Sequence, residues 1–445
     1  MAESSEYRRK TLHIGVGAFA LFLRYLTWWQ AAICAIAAFM FNAYILPAWG
    51  GRNLWREADR GRGHPIGILV YPISLLFLFM LFHDRLHLAA AMWGIMAIGD
   101  GMASVFGTAM GSAKLPWNRK KSWAGSIAML LFGAAAALGL AWWTTRGEID
   151  FAHFAILICV ISFAAAVVES FDSPMDDNIS VPIGGGLLLY LLCMIDSGRW
   201  SELATISTAR DLAWAVGINA VFTSLAYFAR SLDSWGSVGS FLVGATTWFF
   251  GGYRSYLMLF AFFVLGSAAT RIGYRRKVAA GVAQEKGGRR SMKHVLANGS
   301  LVPLFAILSS LTRSPEYFLI GLAAAMATAA SDTVSSEIGQ LYGRRTFLIT
   351  TFRTVPRGTD GAVSLAGTLA GLLASLLVSL LGFALGLYTL TGMWIVVVAA
   401  FLGTLFESYL GATLERRGYL NNELTNFLNT VAGAAAAIGL LYLTV

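Results

Sequence analysis

The sequence predicts an all-α polytopic membrane protein with about fifteen transmembrane helices in two tandem, similarly organised halves, N-terminus cytoplasmic. Three observations predict it. Of 445 residues, 57% are hydrophobic and 13% charged, with a mean hydropathy of +0.64; a soluble chain carries about 25% charged residues. Apolar runs of about 17–25 residues, each able to cross a bilayer, recur along the chain. The cations gather between alternate runs, as the positive-inside rule requires.

The runs fall at 12–27, 28–48, 65–82, 86–106, 122–144, 151–170, 181–197, 211–229, 236–252, 255–272, 294–312, 315–340, 361–386, 391–411 and 424–444. The first follows "YRRKTLHIG" and has the look of a signal peptide, but no small-residue cleavage site precedes the next run, so it is read as a mature helix. No polar stretch is long enough for a large soluble domain. With the N-terminus inside, one face receives Arg8, Arg9 and Lys10, then Arg52, Arg56, Arg60 and Arg62, then Lys114, Arg119, Lys120 and Lys121, then Arg230. It also receives eight cations between Arg271 and Lys293, then Arg344, Arg345, Arg353, Arg357, Arg416 and Arg417. The opposite face receives Arg85, Arg146, Arg199, Arg210, Arg254 and Arg313. The net charge of +9 is therefore read as topogenic, not as a nucleic-acid surface. Cys34, Cys159 and Cys193 all lie in apolar runs and are read as small core residues, not as a disulfide or metal set.

A polar stretch at Trp200–Arg210 divides the chain into halves, 1–205 and 206–445, with a similar order of parts. The first half reads "RRKTLHIGVG", "GDGMASVFGTAMG", "LPWNRKKSWAGS" and "VVESFDSPMDDNISVP". The second reads "RRSMKHVLANG", "SDTVSSEIGQLYG", "TFRTVPRGTDGAVSLAG" and "FESYLGATLERRGYLNNELTNFLN". Each polar cluster is expected at the cytoplasmic face, one site per half.

Asp100 ends an apolar run, where an ionised carboxylate is costly and needs a compensating partner. Headgroup water at a helix end would supply one, and a divalent cation another; Mg²⁺ prefers carboxylates, waters and substrate phosphates. Gly99 and Gly101 flank Asp100, so a ligand can approach the backbone, and Gly107 and Gly111 loosen the next turn. Lys114, Arg119, Lys120 and Lys121 come next, although topology alone accounts for any one of them. Ser122 suits the N-cap of the helix after them, itself an anion site. Glu169 ends another apolar run and suits a metal or a proton. Asp172 and Asp176 fit a solvated loop. Asp177 and Asn178 suit either a helix cap or a metal or ribose. In the second half, Asp332 and Glu337 end a run among Ser331, Thr333, Ser335 and Ser336. Arg344, Arg345, Arg353 and Arg357 come after it, with Gly358, and guanidinium groups bind phosphate bidentately. Glu407 and Asn426 match Glu169 and Asn178 in order. Asn298 suits a core amide as well as a substrate contact. His13 and His294 follow basic clusters at span entrances and read as interfacial; the histidines do not form a zinc set.

These motifs carry two resemblances. The first half, on "RRKTLHIGVG", "GDGMASVFGTAMG", "LPWNRKKSWAGS" and "DDNISVP", resembles the dolichol kinase and phytol kinase family. That family is distantly similar to phosphatidate cytidylyltransferases and uses CTP or a related nucleotide with Mg²⁺. The second half, on "GSVGSFLVGATTWFFGG", "HVLANG", "ASDTVSSEIG", "RTVPRGTDGAVSLAG" and "LNNELTNFLNTVAGA", resembles a membrane family that includes the plant phytyl-phosphate kinase. Two departures stand out: the short "TAMGSAK" after "GDGMASVFG", and a longer gap from Glu407 to Asn426 than from Glu169 to Asn178. Together the resemblances imply a bifunctional, Mg²⁺-dependent kinase that takes an isoprenoid alcohol to its monophosphate and then its diphosphate, with CTP or another nucleoside triphosphate. They imply Asp100, Glu169, Asp332 and Glu407 as catalytic. Gly101, Lys114, Arg119, Lys120, Lys121, Ser122, Asn298, Arg353, Arg357 and Gly358 would bind phosphate or nucleotide. Asp100, Glu169, Asp177, Asn178, Asp332, Glu337, Glu407 and Asn426 would hold metal. The setting implied is a bacterial cytoplasmic membrane with both sites facing the cytoplasm and no nucleic-acid partner. A cytidylyltransferase making a CDP-activated lipid, and a transporter with internal repeats, remain the alternatives.

Overall fold

The computed structural model describes residues 2–49, 65–110, 113–148, 150–171, 174–206 and 208–444, with the side chains of 2–9, 285 and 286 excepted. Arg52, Arg56, Arg60, Arg62, Gly111 and Asp172, and the side chains of Arg8 and Arg9, thus lie outside the described residues. The chain forms two compact units, Met1–Met194 and Ile195–Val445.

The first unit runs α1 (Ala2–Gly17), a 3-10 stretch (Ala18–Arg24), α2 (Trp28–Ala48), α3 (Ile66–Leu81), α4 (Leu86–Ala109), α5 (Trp123–Thr144), α6 (Phe151–Ser170) and α7 (Asp177–Leu192). At its centre is α4. Small residues let neighbours close on it from several sides: Ala89, Ala90, Ala91 and Ala97 are fully buried, and a methyl on Gly94 would lie 3.0 Å from the α5 backbone at Ala136. Between Ile95 and Gly99 the helix widens into a π-turn, directly before Asp100. Such turns re-aim side chains and are frequent at functional sites.

The second unit runs α8 (Ser197–Ile206), α9 (Ala209–Phe228), α10 (Ser234–Arg271), α11 (Tyr274–Ala279), α12 (Met292–Gly299), α13 (Leu301–Leu311), α14 (Pro315–Tyr342), a hairpin β1 (Phe347–Leu348) with β2 (Ala362–Val363), then α15 (Leu365–Ala384), α16 (Leu390–Glu415) and α17 (Asn422–Thr444). The hairpin pairs antiparallel, Phe347 with Val363 and Leu348 with Ala362. Residues Leu322–Ala330 of α14 are wholly buried among α10, α13, α15, α16 and α17. Residues 195–205 sit with this unit because Asp196 N donates to Leu311 O at 2.9 Å and Arg313 pairs with the Asp196 carboxylate. Hydrogen bonds from Arg313 and the Gly198 N–H hold that carboxyl below its usual pKa.

Among the described residues ten helices are long and apolar enough to span a membrane, or up to twelve if each of two bent pairs is one span, not fifteen. The run at 12–27 becomes the end of α1 and a 3-10 stretch. The run at 65–82 becomes a helix of 16 residues, about 24 Å long against a core of about 30 Å. The runs at 181–197 and 294–312 are bent, by 69° and 42°, within pairs ending at Thr205 and Leu311. The runs at 236–252 and 255–272 are each helical, as expected, and meet at Gly252 within α10, 38 residues, which counts once among the ten. A straight helix of that length would reach about 57 Å. Yet a methyl on Gly236 would lie 2.1 Å from Arg290 O, and one on Gly266 2.3 Å from Arg290 Nη2. Both ends of α10 therefore flank one arginine, and α10 is two antiparallel arms. The reversal is at Gly252, whose φ of 68° and ψ of −176° belong to glycine almost alone. The cysteines also differ from expectation: Cys34 and Cys159 are exposed on the helix surfaces rather than buried in the core.

Candidate active sites

In the first unit the site grows from α4. Asp100 is 5% exposed, a depth at which a lone carboxylate would be strongly disfavoured. Lys10 of α1, also buried, meets it with Nζ 2.9 and 2.7 Å from the two carboxylate oxygens. His13, one turn along α1, places Nε2 3.5 Å from Asp100 Oδ2 and 3.0 Å from Met96 O. Met96 lies within the π-turn. Tyr71 stands edge-on to His13, its hydroxyl accepting from Trp93 Nε1 at 2.7 Å.

The loop 113–122 closes over the same point. Trp117 Nε1 donates to Ser170 Oγ at 3.1 Å and Asn118 Nδ2 to Ser170 O at 3.0 Å, pinning the loop to the end of α6. That pinning brings Lys121 onto Glu169, with Asp177 3.8 Å away. Burial alone would lower the Lys121 pKa, but the Glu169 and Asp177 carboxylates outweigh it and hold it above its ordinary value. Asp100, Glu169 and Asp177 each offer an oxygen, and the three lie within 4.8 Å of one another. Three converging carboxylate oxygens are a donor set that Mg²⁺ accepts.

In the second unit a cavity of about 340 Å³ opens among α14, the loop into β2, α16 and the start of α17. Asp332, Asp360 and Glu407 line it, with Asn422 and Asn426, and no Lys, Arg or His does so among the described residues. Thr404 Oγ1 donates to Ser331 Oγ at 3.1 Å across its wall, and Ser408 Oγ to Glu407 Oε2 at 3.2 Å. Gly361, at φ 72°, seats the loop on α16, where a methyl would lie 2.4 Å from Ser408 O. This contact carries Asp360 to the cavity.

The two units share a local device. In each, a Ser caps the helix after the polar loop: Ser122 accepts from Gly125 N at 3.3 Å, Ser364 from Gly367 N at 3.1 Å. In each, a glycine seven residues beyond the aspartate packs on that cap. A methyl on Gly107 would lie 3.2 Å from Ser122 Oγ, and one on Gly339 3.1 Å from Ser364 Oγ.

The structure thus brings Asp100, Glu169, Asp177, Lys121 and Ser122 into one region, with Gly101 packed under Ile14 of α1. Lys114, Arg119 and Lys120 lie exposed along the loop. Asn178 is committed to scaffolding, donating to Gly67 O at 3.2 Å while its carbonyl accepts from Ser74 Oγ at 2.5 Å. The cap of α7 is Asp176, not Asp177 or Asn178. Asp332, Glu407, Asn426 and Gly358 meet at the second cavity. Glu337 does not: it points the other way along α14, to the buried Lys277. Arg353 and Arg357 are exposed on the loop between the two strands, and Arg344 and Arg345 are exposed before β1; all four lie outside the lining. Asn298 Nδ2 donates to His294 O at 3.1 Å within α12. Sequence reasoning did not single out Lys10 or Asp360 as site residues. The signal for Lys10 is its spacing of three from His13, which sets both on one face of α1.

A family model described as integral membrane protein DUF92 matches residues 217–434. The uncharacterized membrane protein sll0875 of Synechocystis sp. is 40% identical over 251 residues, 55% of this chain and 97% of that protein. The chain belongs to the DUF92 integral membrane family. The family match falls wholly inside the second unit and includes every residue lining its carboxylate cavity. Protein VTE6, chloroplastic, of Arabidopsis thaliana is 40% identical over 214 residues, 46% of this chain and 64% of that one. Phytol kinase 1, chloroplastic, of the same plant is 36% identical over 130 residues, 28% of this chain and 43% of that one. The chain thus spans less than two thirds of either plant protein. No solved structure matches.

Proposed function

We propose that this chain is a membrane phosphotransferase that converts an isoprenoid alcohol to its monophosphate in the first unit and the monophosphate to its diphosphate in the second. The observation that carries it is the convergence of Asp100, Glu169 and Asp177 within 4.8 Å, bordered by Lys10 and Lys121. Likeness to proteins named phytol kinase supports the substrate class.

Asp100, Glu169 and Asp177 would hold Mg²⁺ in the first unit, and Asp332, Glu407 and Asn426 in the second. When bound, Mg²⁺ offsets charge on the transferring phosphoryl group. Lys10 on Asp100 and Lys121 on Glu169 offset the buried charge and hold these carboxylates in place. Asp100 or Glu169 would take the proton of the acceptor hydroxyl as its oxygen bonds to the γ-phosphorus and the bond from that phosphorus to the β-phosphate oxygen breaks, releasing nucleoside diphosphate. Lys121, on a pinned loop, lies within reach of donor phosphate oxygens. A monophosphate acceptor is already an anion and needs no strong base, but two anions must meet. Among the described residues the second cavity is lined by carboxylates and by no cation, so divalent ions arriving with the nucleotide would supply positive charge there. The apolar tail stays in the bilayer, since each buried CH₂ is worth about 0.8 kcal/mol.

A product assay tests the reading. Purified protein receives phytol, geranylgeraniol or farnesol with CTP, UTP or ATP and Mg²⁺. Isoprenyl mono- and diphosphate with nucleoside diphosphate support it; pyrophosphate with a nucleotidyl lipid would make the chain a cytidylyltransferase instead.

A further inference from the structure

A smaller cavity in Ile195–Val445 shares no lining residue with the carboxylate cavity. It lies between α9, both arms of α10 and α12 and holds about 80 Å³. A water takes about 30 Å³ of liquid volume. There is room for a small ion with a water or two, and none for a nucleotide or an isoprenyl chain.

The lining is largely apolar, with Phe222, Phe260, Phe262 and Phe263 in it, and among the described residues it includes no carboxylate. Arg290 supplies its fixed charge. The backbone there is held, Arg290 N donating to Ser231 O at 2.9 Å and Arg290 O accepting from Asp233 N at 3.1 Å. The half-buried guanidinium lies against Gly266 and 5.1 Å from the centre of the Phe262 ring. That ring face offsets part of the charge. The guanidinium makes no hydrogen bond or ion pair with any described residue, and it lines the cavity. Burial lowers its pKa to about 10, so it stays charged at neutral pH. Glu337, whose charge reaches it, is already paired with Lys277. Arg290 is therefore left with an unbalanced positive charge.

Tyr256, on the second arm of α10, is a separate sign of an occupant. It is 6% exposed, and its ring packs against Trp248 and Phe222. Its hydroxyl makes no hydrogen bond with any described residue, and it too lines the cavity. A buried donor in that state is costly unless water or an ion meets it.

Charge and size select the occupant. A neutral molecule leaves Arg290 unbalanced. A dianion strands a negative charge among aromatic rings. One monovalent anion balances the site. We infer that this cavity binds one small monovalent inorganic anion, of about the size of chloride, on the Arg290 guanidinium, with the Tyr256 hydroxyl donating to it directly or through one water. The site is distinct from both carboxylate sites and does not rest on the kinase reading.

Chloride binding to the full-length protein tests it. Protein in phosphatidylcholine nanodiscs and gluconate buffer, free of nucleotide and divalent ions, is titrated with chloride at constant ionic strength. Broadening of the chloride NMR signal reads the binding. Saturable broadening is expected, displaced by bromide or nitrate and about tenfold less readily by sulfate. Arg290→Met should abolish it, and Tyr256→Phe should weaken it about two- to fivefold. In detergent, chloride should raise the unfolding temperature of the parent above that in gluconate, and should not do so in Arg290→Met. Tyr256→Phe removes only one oxygen, so it carries the test if Arg290→Met does not fold. Broadening unchanged in either variant overturns the inference, as does a parent whose unfolding temperature ignores chloride; the cavity then holds water. Displacement by sulfate as readily as by nitrate also overturns it. So does loss of chloride binding when phosphatidylglycerol is added to the nanodisc, which would assign Arg290 to a lipid phosphodiester.

Discussion

Asp100 and Lys10 form the buried pair on which the first site depends. Removing one partner strands the other as an uncompensated charge, at a cost of about 3–5 kcal/mol, whereas removing both costs much less. Lys10→Met should therefore lower thermal stability in detergent strongly, and Lys10→Met with Asp100→Asn should recover much of the loss. Equal destabilisation in the single and double variants would show that the pair does not act as a unit. Lys121 differs in being outside the spans. Its folded pKa is raised, so its stabilising contribution is complete below the ordinary lysine value and is lost only as pH rises through a still higher one. Activity between about pH 7 and 9 should then show no step from Lys121, and Lys121→Arg, charged throughout, should leave that stretch of the profile the same shape. A step present in the parent and absent in Lys121→Arg contradicts this.

At the scale of elements, the polar loops meet the central helices through glycine-to-cap contacts. Gly367 packs closely on α14: a methyl there would lie 2.6 Å from Ser335 O. Gly367→Val should cost about 1–3 kcal/mol through overpacking, read as a lower unfolding temperature, while Gly439→Val, which meets nothing within 4 Å, should cost little. These contacts also show what the sequence could and could not disclose. The Asp100 and Asp332 helices, the cap at Ser122 and the acidic ends of α6 and α16 were legible, because hydropathy and spacing carry them. The pairing of Lys10 with Asp100 was not, since it depends on which face α1 lays on α4. For Arg353 and Arg357, a basic turn after an acidic helix reads as a phosphate clamp; the Gly361 contact with α16 brings Asp360 to the cavity, and both arginines lie on the exposed loop, a placement that the sequence pattern does not carry. The pairing of Glu337 with Lys277, 60 residues earlier, was likewise not legible, because it depends on how α11 packs on α14.

At the scale of the whole molecule, apolar length overcounted spans, since hydropathy cannot distinguish a short helix or a bent pair from a complete crossing. The positive-inside pattern remains the basis for orientation. Impermeant maleimide should label Lys114→Cys and Arg353→Cys from the cytoplasmic side only and Arg254→Cys from the other, in a background lacking Cys34, Cys159 and Cys193; labelling of Lys114→Cys and Arg353→Cys from opposite sides would separate the two sites across the membrane. The family match covers the second unit's cavity but not Asp100 or Glu169, so independence of two chemistries is the central claim. The most direct measurement tracks both products in Asp100→Ala and Asp332→Ala. Asp100→Ala should stop monophosphate formation from the alcohol while added monophosphate still becomes diphosphate, and Asp332→Ala should do the reverse. Loss of both steps together in either correctly folded variant would contradict the account.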